Sequence, residues 1–180
     1  IRNTLHPDFP GTRIAPGSAA ADNRPIRGIS SIPHVALLRL EGDGMVGVPG
    51  TAERLFRALA RARVSVILIS QASSEHSICF AVDPSSLGVA RESVENEFRL
   101  ERRTGLLDEL VVEPDCAIIA AVGEGMRDTP GIAGRVFSIL GREGINVRAI
   151  AQGSSELNIS LVVPSQAAGY AVRALHDAVV

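Results

Sequence analysis

The hydrophobic pattern of the chain alternates between short apolar runs and longer segments with one apolar face. A short apolar run that ends at a glycine-containing loop is typical of a buried strand. A segment that places Ala52, Leu55, Phe56 and Leu59 on one face predicts an amphipathic helix. Two β-branched runs around a short polar turn predict an antiparallel hairpin. In chain order, these signals predict a strand at residues 35–40, a helix at 51–63, strands at 64–69 and 77–82, and a helix at 87–101.

The same pattern occurs a second time, 81 residues further along. An ungapped alignment of residues 34–82 with residues 115–163 gives 19 identities over 49 positions, and its strongest match is Gln-x-Ser-Ser-Glu at 71–75 and 152–156. Solenoid repeats have periods of about 20–50 residues, so this longer period indicates two copies of a small domain. The second copy predicts a strand at 116–122, a helix with Ala133, Val136, Phe137 and Leu140 on its apolar face, strands at 145–150 and 158–163, and a helix at 167–179.

Each copy has the order β-α-β-β-α and lacks one strand of a four-stranded ferredoxin-like sheet. We expect residues 109–113 to complete the first sheet, whereas residues 25–30 cross over to complete the second. The predicted fold is α+β, with two interlocked βαββαβ units whose antiparallel sheets carry helices on one face. The predicted bounds of the units are 25–108 and 109–180, after a linker or the tail of a preceding domain at residues 1–24.

Composition and charge narrow the possible functions. The net charge is −2 and aromatic residues make up 3%, so the chain is a poor match to nucleic-acid-binding proteins. All 18 basic residues are arginine, which excludes a P-loop lysine and Schiff-base chemistry. Cys79 and Cys116 have no disulfide-framework spacing, which favours a reducing compartment, and no apolar run approaches the ~20 residues that cross a bilayer. Since the sequence opens without methionine, we expect it to be part of a longer protein.

Residues 42–47 read Gly-x-Gly-x-x-Gly, a pattern shared with dinucleotide-binding loops. A Rossmann site requires an acidic residue at the end of the next strand, where this chain has Gln71, and the sister loop at 123–128 lacks the third glycine. We therefore interpret the glycines as residues that permit a tight turn. The histidines sit singly and both cysteines fall in predicted strands, so we predict neither a catalytic centre nor a metal site.

One polar constellation occurs in both copies. A loop with glycine and proline leads to a helix start, whose free N–H groups and dipole favour an anion. The neighbouring strand ends in Gln71 or Gln152, whose amide can both donate and accept hydrogen bonds. A carboxylate at the helix start, with an ammonium or hydroxyl group near the glutamine, describes a free α-amino acid. The alternative interpretation is that these are turn residues copied by duplication.

The two copies also differ in ways that bear on a ligand. Ser65 of the first copy corresponds to Asn146 of the second, and an asparagine amide is the stronger bidentate partner. We therefore expect two pockets of different affinity or role. Glu75 and Glu156 are expected on the solvent side of their hairpins, where a charged residue is the default.

Three motifs resemble the tandem ACT regulatory region of aspartokinases, and most closely that of aspartokinases fused to homoserine dehydrogenase. They are residues 44–51 (Gly-Met-Val-Gly-Val-Pro-Gly-Thr), residues 69–76 (Ile-Ser-Gln-Ala-Ser-Ser-Glu-His) and residues 149–156 (Ala-Ile-Ala-Gln-Gly-Ser-Ser-Glu). The resemblance runs from about residue 25 to residue 180. The Asn-Thr of residues 3–4 and the Pro-Gly-Thr of residues 10–12 resemble the last segment of the preceding kinase domain.

The resemblance implies regulation rather than catalysis by this chain. Aspartokinases phosphorylate aspartate with ATP and magnesium, which opens the route to lysine, threonine and methionine. Those cofactors would belong to the kinase domain, so none is expected here. The family's ACT pair binds an end-product amino acid and forms homodimers through ACT sheets lying side by side. We expect this protein to be cytoplasmic. By this resemblance, the effector-binding positions are Met45, Val48, Gly50, Ile69 and Gln71 in the first copy, and Met126, Thr129, Gly131, Asn146, Ile150 and Gln152 in the second.

The resemblance leaves the effector open between two amino acids. Threonine is implied by the type fused to homoserine dehydrogenase, and lysine by the unfused types. A lysine effector would require an acidic partner for its side-chain ammonium group. A dimerisation module that has lost its ligand pockets, and an enzyme that uses the loop at residues 42–47, are the rival hypotheses from other functional classes.

Overall fold

The computed structural model describes residues 4–6, 8–11 and 24–180, so most of the predicted linker at residues 1–24 lies outside the described residues. The strands are β1 (Gly28–Glu41), β2 (Val66–Gln71), β3 (Ser77–Val82), β4 (Val111–Val122), β5 (Ala149–Gln152) and β6 (Asn158–Pro164). The helices are α1 (Thr51–Arg61), α2 (Leu87–Glu97), α3 (Arg99–Arg103), α4 (Ile132–Arg142) and α5 (Ala168–Val179).

The six strands form one antiparallel sheet in the order β2-β3-β1-β4-β6-β5. Residues 28–32 of β1 pair with residues 118–122 of β4, in the half of the sheet that belongs to the second repeat. Residues 111–113 of β4 pair with residues 37–39 of β1, in the half that belongs to the first repeat. The predicted α+β fold with interlocked antiparallel sheets is therefore confirmed. Because β1 and β4 each run through both halves, the bounds 25–108 and 109–180 stay a prediction.

Two pairs of predicted strands are merged in the structure. The strand candidate at residues 25–30 is continuous with residues 35–40 in β1, and residues 109–113 are continuous with 116–122 in β4. Pro33 and Pro114 lie inside these strands although neither can donate a backbone hydrogen bond. Register shifts between β1 and β4 from Ile32 to Leu37 accommodate the irregularity.

Other predicted elements have different bounds in the structure. The helix predicted at residues 87–101 is divided into α2 and α3 at Phe98, which leaves helical geometry (φ −104°, ψ 22°) while its ring is buried in the first core. The strand predicted at residues 145–150 begins only at Ala149. The N–H of Ile145 instead closes the end of α4 by donating to the carbonyl of Leu140 at 2.9 Å.

Strand alternation divides the apolar side chains between two faces of the sheet. The helix pairs α1/α2 and α4/α5 lie on one face. The first pair covers a core that includes Leu38, Leu55 and Phe80, and the second pair covers a core that includes Val136 and Leu161. Among the described residues, no helix has the length and apolar character needed to span a bilayer.

The opposite face carries a smaller core of its own, which includes Val35, Leu37, Leu68, Cys116 and Val162. The sheet bends around this core, so that its two edge strands approach each other. Where β2 and β5 meet, the Ser70 hydroxyl donates to the carbonyl of Ile150 at 2.7 Å. We call this junction of β2 and β5 the seam.

Candidate functional site

A cavity of about 310 Å³ lies at the start of α1. Its lining includes four of the predicted effector positions, Met45, Val48, Gly50 and Gln71. Gly50 precedes the helix in a left-handed conformation (φ 91°), and no side chain caps the helix. The first turn therefore keeps backbone N–H donors for a bound group. The remaining lining residues are Gly47, Pro49, Thr51, Ala52, Glu75 and Ile78.

Glu75 joins the hairpin turn to the loop before α1. Its carboxylate accepts a hydrogen bond from the N–H of Gly47 at 3.0 Å and also lines the cavity. In the second repeat, the carboxylate of Glu156 accepts from the N–H of Asp128 at 2.9 Å. Both glutamates have positive φ, 57° and 56°. The expectation that they simply face solvent missed these bonds, which give the last residue of Gln-x-Ser-Ser-Glu a structural reason to occur in both copies.

The corresponding loop of the second repeat has more side-chain bonds. The hydroxyl of Thr129 donates to the carbonyl of Gly125 at 2.8 Å, and Nε of Arg127 donates to the carbonyl of Ser155 at 3.3 Å. Gly131 precedes α4 with φ 88°, as Gly50 precedes α1. The predicted site residue Met126 is buried in the second core, whereas Asn146 is exposed in the loop before β5. The two helix starts thus share their backbone and differ in their side chains.

A second cavity, of about 420 Å³, lies along the seam and brings residues of the two repeats together. It contains the predicted pairs Ile69 with Gln71 and Ile150 with Gln152. The two glutamines therefore share the cavity at the seam. Gln71 also lines the cavity at the start of α1. The other lining residues are Ser70, Ala151, Gly153, Asn158 and Ser160.

The glycine loops are close-packed in the structure rather than open to a phosphate. A Cβ on Gly42 would lie 2.6 Å from the carbonyl oxygen of Leu106, and one on Gly44 would lie 2.7 Å from Cβ of Leu106. The glycines at 123 and 125 meet Pro25 in the same way. These contacts favour the structural interpretation of the glycines over a dinucleotide site.

The described residues contain no group of histidine, cysteine and acidic side chains that could hold a metal ion. Cys79 lies half-buried in β3 and Cys116 buried in β4, and desolvation raises the pKa of both thiols. A raised pKa lowers the thiolate fraction at neutral pH, so neither cysteine is a suitable nucleophile.

Comparisons with known proteins agree with this architecture. The model of a family described as "ACT domain" matches residues 38–98 and 119–179. A bifunctional aspartokinase/homoserine dehydrogenase of Arabidopsis thaliana is 42% identical over 181 residues, which cover 98% of this chain and 20% of the relative. The chain therefore spans about a fifth of the length of the curated relatives it matches.

Solved structures give the same result for the fold. The regulatory subunit of aspartate kinase from Thermus flavus superposes with a TM-score of 0.75 at 27% identity, over 86% of this chain and 99% of that chain. E. coli aspartokinase III in complex with lysine and aspartate superposes with a TM-score of 0.69 at 26% identity, over 87% of this chain and 33% of that chain. The chain belongs to the ACT domain family, as a tandem ACT region of the type that regulates aspartokinases.

Proposed function

We propose that this chain binds a free end-product amino acid, threonine foremost, and thereby controls the phosphorylation of L-aspartate by feedback inhibition. The observation that carries the proposal is the cavity at the start of α1, where Gln71 meets an uncapped helix start. Its volume of about 310 Å³ is at the small end of the range for ligand sites. A sensor of this kind acts by favouring one arrangement of the ACT pair, which the kinase domain then senses.

The lining of this cavity matches each group of threonine. The helix start offers N–H donors to the carboxylate, and the Glu75 carboxylate offers a negative charge to the ammonium group. Gln71 and Thr51 can hydrogen-bond the ligand hydroxyl, and Val48 and Ile78 present apolar surface to the methyl group.

Lysine is the alternative effector, and one observation favours it. Glu75 lines the cavity and could pair with a side-chain ammonium group. The E. coli aspartokinase III structure named above was determined in complex with lysine.

A dimerisation module without ligand is the second alternative. Ile69 and Ile150 are 47% and 44% exposed at the seam, where they could contact the sheet of a second copy. We include a homodimer through the ACT sheets in the proposal.

Aspartate phosphorylation with ATP and magnesium would take place in another part of the protein, in the cytoplasm, and this chain itself would hold no cofactor.

Melting-temperature shifts of the chain test the effector directly. A ligand at one hundred times its Kd adds about 2.7 kcal/mol of stability, which raises the Tm of a chain this size by roughly 5–10 °C. We expect this shift with threonine and a smaller one with lysine or methionine. A larger shift with lysine would select the alternative effector. No shift with any of the three would leave the dimerisation module, and a shift with NAD(P) alone would revive the enzyme hypothesis.

A further inference from the structure

The cavity at the start of α1 has two walls, which come from different parts of the first repeat. The helix wall is the first turn of α1 together with Gly50, and the loop wall contains Met45, Gly47 and Val48. A small ligand that contacts both walls binds best when their spacing is fixed in advance, because less conformational entropy is then lost on binding. The contacts that hold the two walls therefore bear on the affinity of this cavity.

The helix wall is attached to the junction of α2 and α3 by Arg54. This residue lies in the first turn, where its N–H donates to the carbonyl of Gly50 at 2.9 Å. Its guanidinium donates to the carboxylates of Glu97 at 2.9 Å and Glu101 at 2.6 Å, and to the Glu97 carbonyl at 3.1 Å. The buried ring of Phe98 lies under the guanidinium. Charged hydrogen bonds in a planar fork fix the first turn at this junction.

The loop wall is attached to the same junction through the turn that follows α3. The carbonyl of Glu101 accepts hydrogen bonds from the N–H groups of Leu106 at 2.9 Å and Leu107 at 3.3 Å. The carbonyl of Leu106 in turn accepts from the N–H of Gly44 at 2.8 Å, next to Met45 of the loop wall. Glu101 thus contacts the helix wall through its side chain and the loop wall through its backbone. We call α3 with the turn at residues 104–107 the bracket.

The second repeat holds its helix start in a different way. Arg135, the equivalent of Arg54, donates to the carbonyl of Ala178 in α5. The glycine turn of this repeat packs against another segment, since a Cβ on Gly125 would lie 2.9 Å from Cα of Pro25. Two separate segments therefore hold the helix start and the glycine turn of the second repeat, whereas one bracket holds both in the first.

We propose that Arg54 is a positioning residue: through Glu101 and the bracket, it fixes the helix wall relative to the loop wall and so sets the affinity of the cavity for an amino acid. The inference rests on the proposed function, because it concerns the affinity of the same site. The second oxygen of the Glu101 carboxylate is buried without a hydrogen-bond partner among the described residues. Removing the Arg54 guanidinium leaves this carboxylate without its partner and loosens the bracket that holds both walls.

Hydrogen exchange of the Gly44 amide in the 180-residue chain tests the positioning role without ligand. Arg54→Met keeps an aliphatic side chain on the helix and removes the guanidinium. The loss of a hydrogen bond changes a local opening equilibrium by about two- to tenfold, so we expect Gly44 exchange to become faster by this factor. Arg135→Met is the matched control, because it removes the equivalent guanidinium from α4 and should leave the Gly44 rate unchanged. Equal Gly44 rates in the two variants would overturn the proposal.

Calorimetric titration of threonine supplies the second arm, at a temperature where circular dichroism shows each variant to be folded. We expect Arg54→Met to raise the Kd about fivefold, and Arg54→Lys to raise it less, because an ammonium group can still reach one carboxylate. Arg135→Met should bind as the wild type does. Adding Glu101→Gln to Arg54→Met should change the Kd little further, since both substitutions break the same contact. Fully additive effects on the Kd would contradict the route through Glu101.

The two arms separate this inference from the proposed function. Threonine binding with the same Kd in the wild type and in Arg54→Met overturns the positioning role and leaves the proposed function intact. If threonine, lysine and methionine all fail to bind the wild type, the proposed function fails, and the Gly44 comparison alone decides whether Arg54 holds the two walls.

Discussion

At the scale of single residues, the repeated Gln-x-Ser-Ser-Glu motif combines two roles. Gln71 and Gln152 lie at the ends of edge strands, where sequence reasoning put them. The bonds of Glu75 and Glu156 to loop N–H groups were not predictable, because a glutamate after two serines carries no turn signal of its own. The sequence signal for a structural role was the presence of this glutamate in both copies of the repeat.

Removing the Glu156 carboxylate measures its structural role away from the first cavity. Glu156→Ala loses the bond to Asp128 but keeps a side chain at positive φ, so we expect a loss of about 1 kcal/mol in the free energy of unfolding. Glu156→Gln keeps an acceptor oxygen and should lose less. Urea unfolding measures both variants, and equal stability of Glu156→Ala and wild type would contradict the assignment.

The glycine at position 123 has a predictable cost of substitution. In Gly123→Ala the new Cβ meets backbone atoms of Pro25 that cannot rotate away. We therefore expect the free energy of unfolding to fall by about 3 kcal/mol or more. Gly134→Ala is the matched control, because it lies in α4 with no atom within 4 Å of the new Cβ and should gain up to about 1 kcal/mol. Thermal unfolding compares the two, and losses of similar size would argue against the close packing.

At the scale of elements, the helix pairs of the two repeats are joined differently. Arg54 of α1 forms ion pairs with Glu97 at 2.9 Å and Glu101 at 2.6 Å, and its guanidinium lies 4.7 Å from the centre of the Phe98 ring. The equivalent Arg135 of α4 donates instead to the carbonyl of Ala178, the residue that stands at the position equivalent to Glu97. The ionic link between helices is thus a property of the first repeat.

This difference predicts a pH dependence of stability. The hydrogen bond from Arg54 lowers the pKa of Glu101, so the unfolded state takes up this proton at a higher pH than the folded state. The stabilisation is present above the ordinary pKa range of glutamate and is lost as the pH falls through the lowered pKa. We expect Glu101→Gln to lose about 1 kcal/mol at neutral pH and to converge with the wild type in acid. A stability difference that is independent of pH would contradict this assignment.

The sequence predicted which elements exist better than where they begin and end. The 81-residue repeat showed the order of strands and helices, and the missing fourth strand suggested that the repeats interlock. The continuity of β1 and β4 could not be seen, because Pro33 and Pro114 resemble breaks between strands. The bend of the sheet that brings β2 to β5 could not be predicted either, because it arises from contacts between residues distant in sequence, such as Ser70 and Ile150.

At the scale of the whole molecule, the shared strands make the repeats one folding unit. Residues 28–32 of β1 and 111–113 of β4 complete the sheet in opposite repeats, so neither repeat keeps a full sheet alone. We expect the chain to unfold in one cooperative transition, with coincident curves from circular dichroism and from the intrinsic fluorescence of Tyr170 in α5. Two separated transitions would show that the repeats fold independently.

Calorimetric titration of threonine into the 180-residue chain tests the central claim, that a free amino acid binds where Gln71 meets the start of α1. We predict saturable binding, and we expect Gln71→Ala to raise the Kd tenfold or more, which corresponds to a loss of about 1.4 kcal/mol in binding free energy. Gln166→Ala, an exposed glutamine outside both cavities, should bind as the wild type does. Absence of saturable heat with threonine, lysine and methionine, or equal affinity in Gln71→Ala and wild type, would contradict the claim.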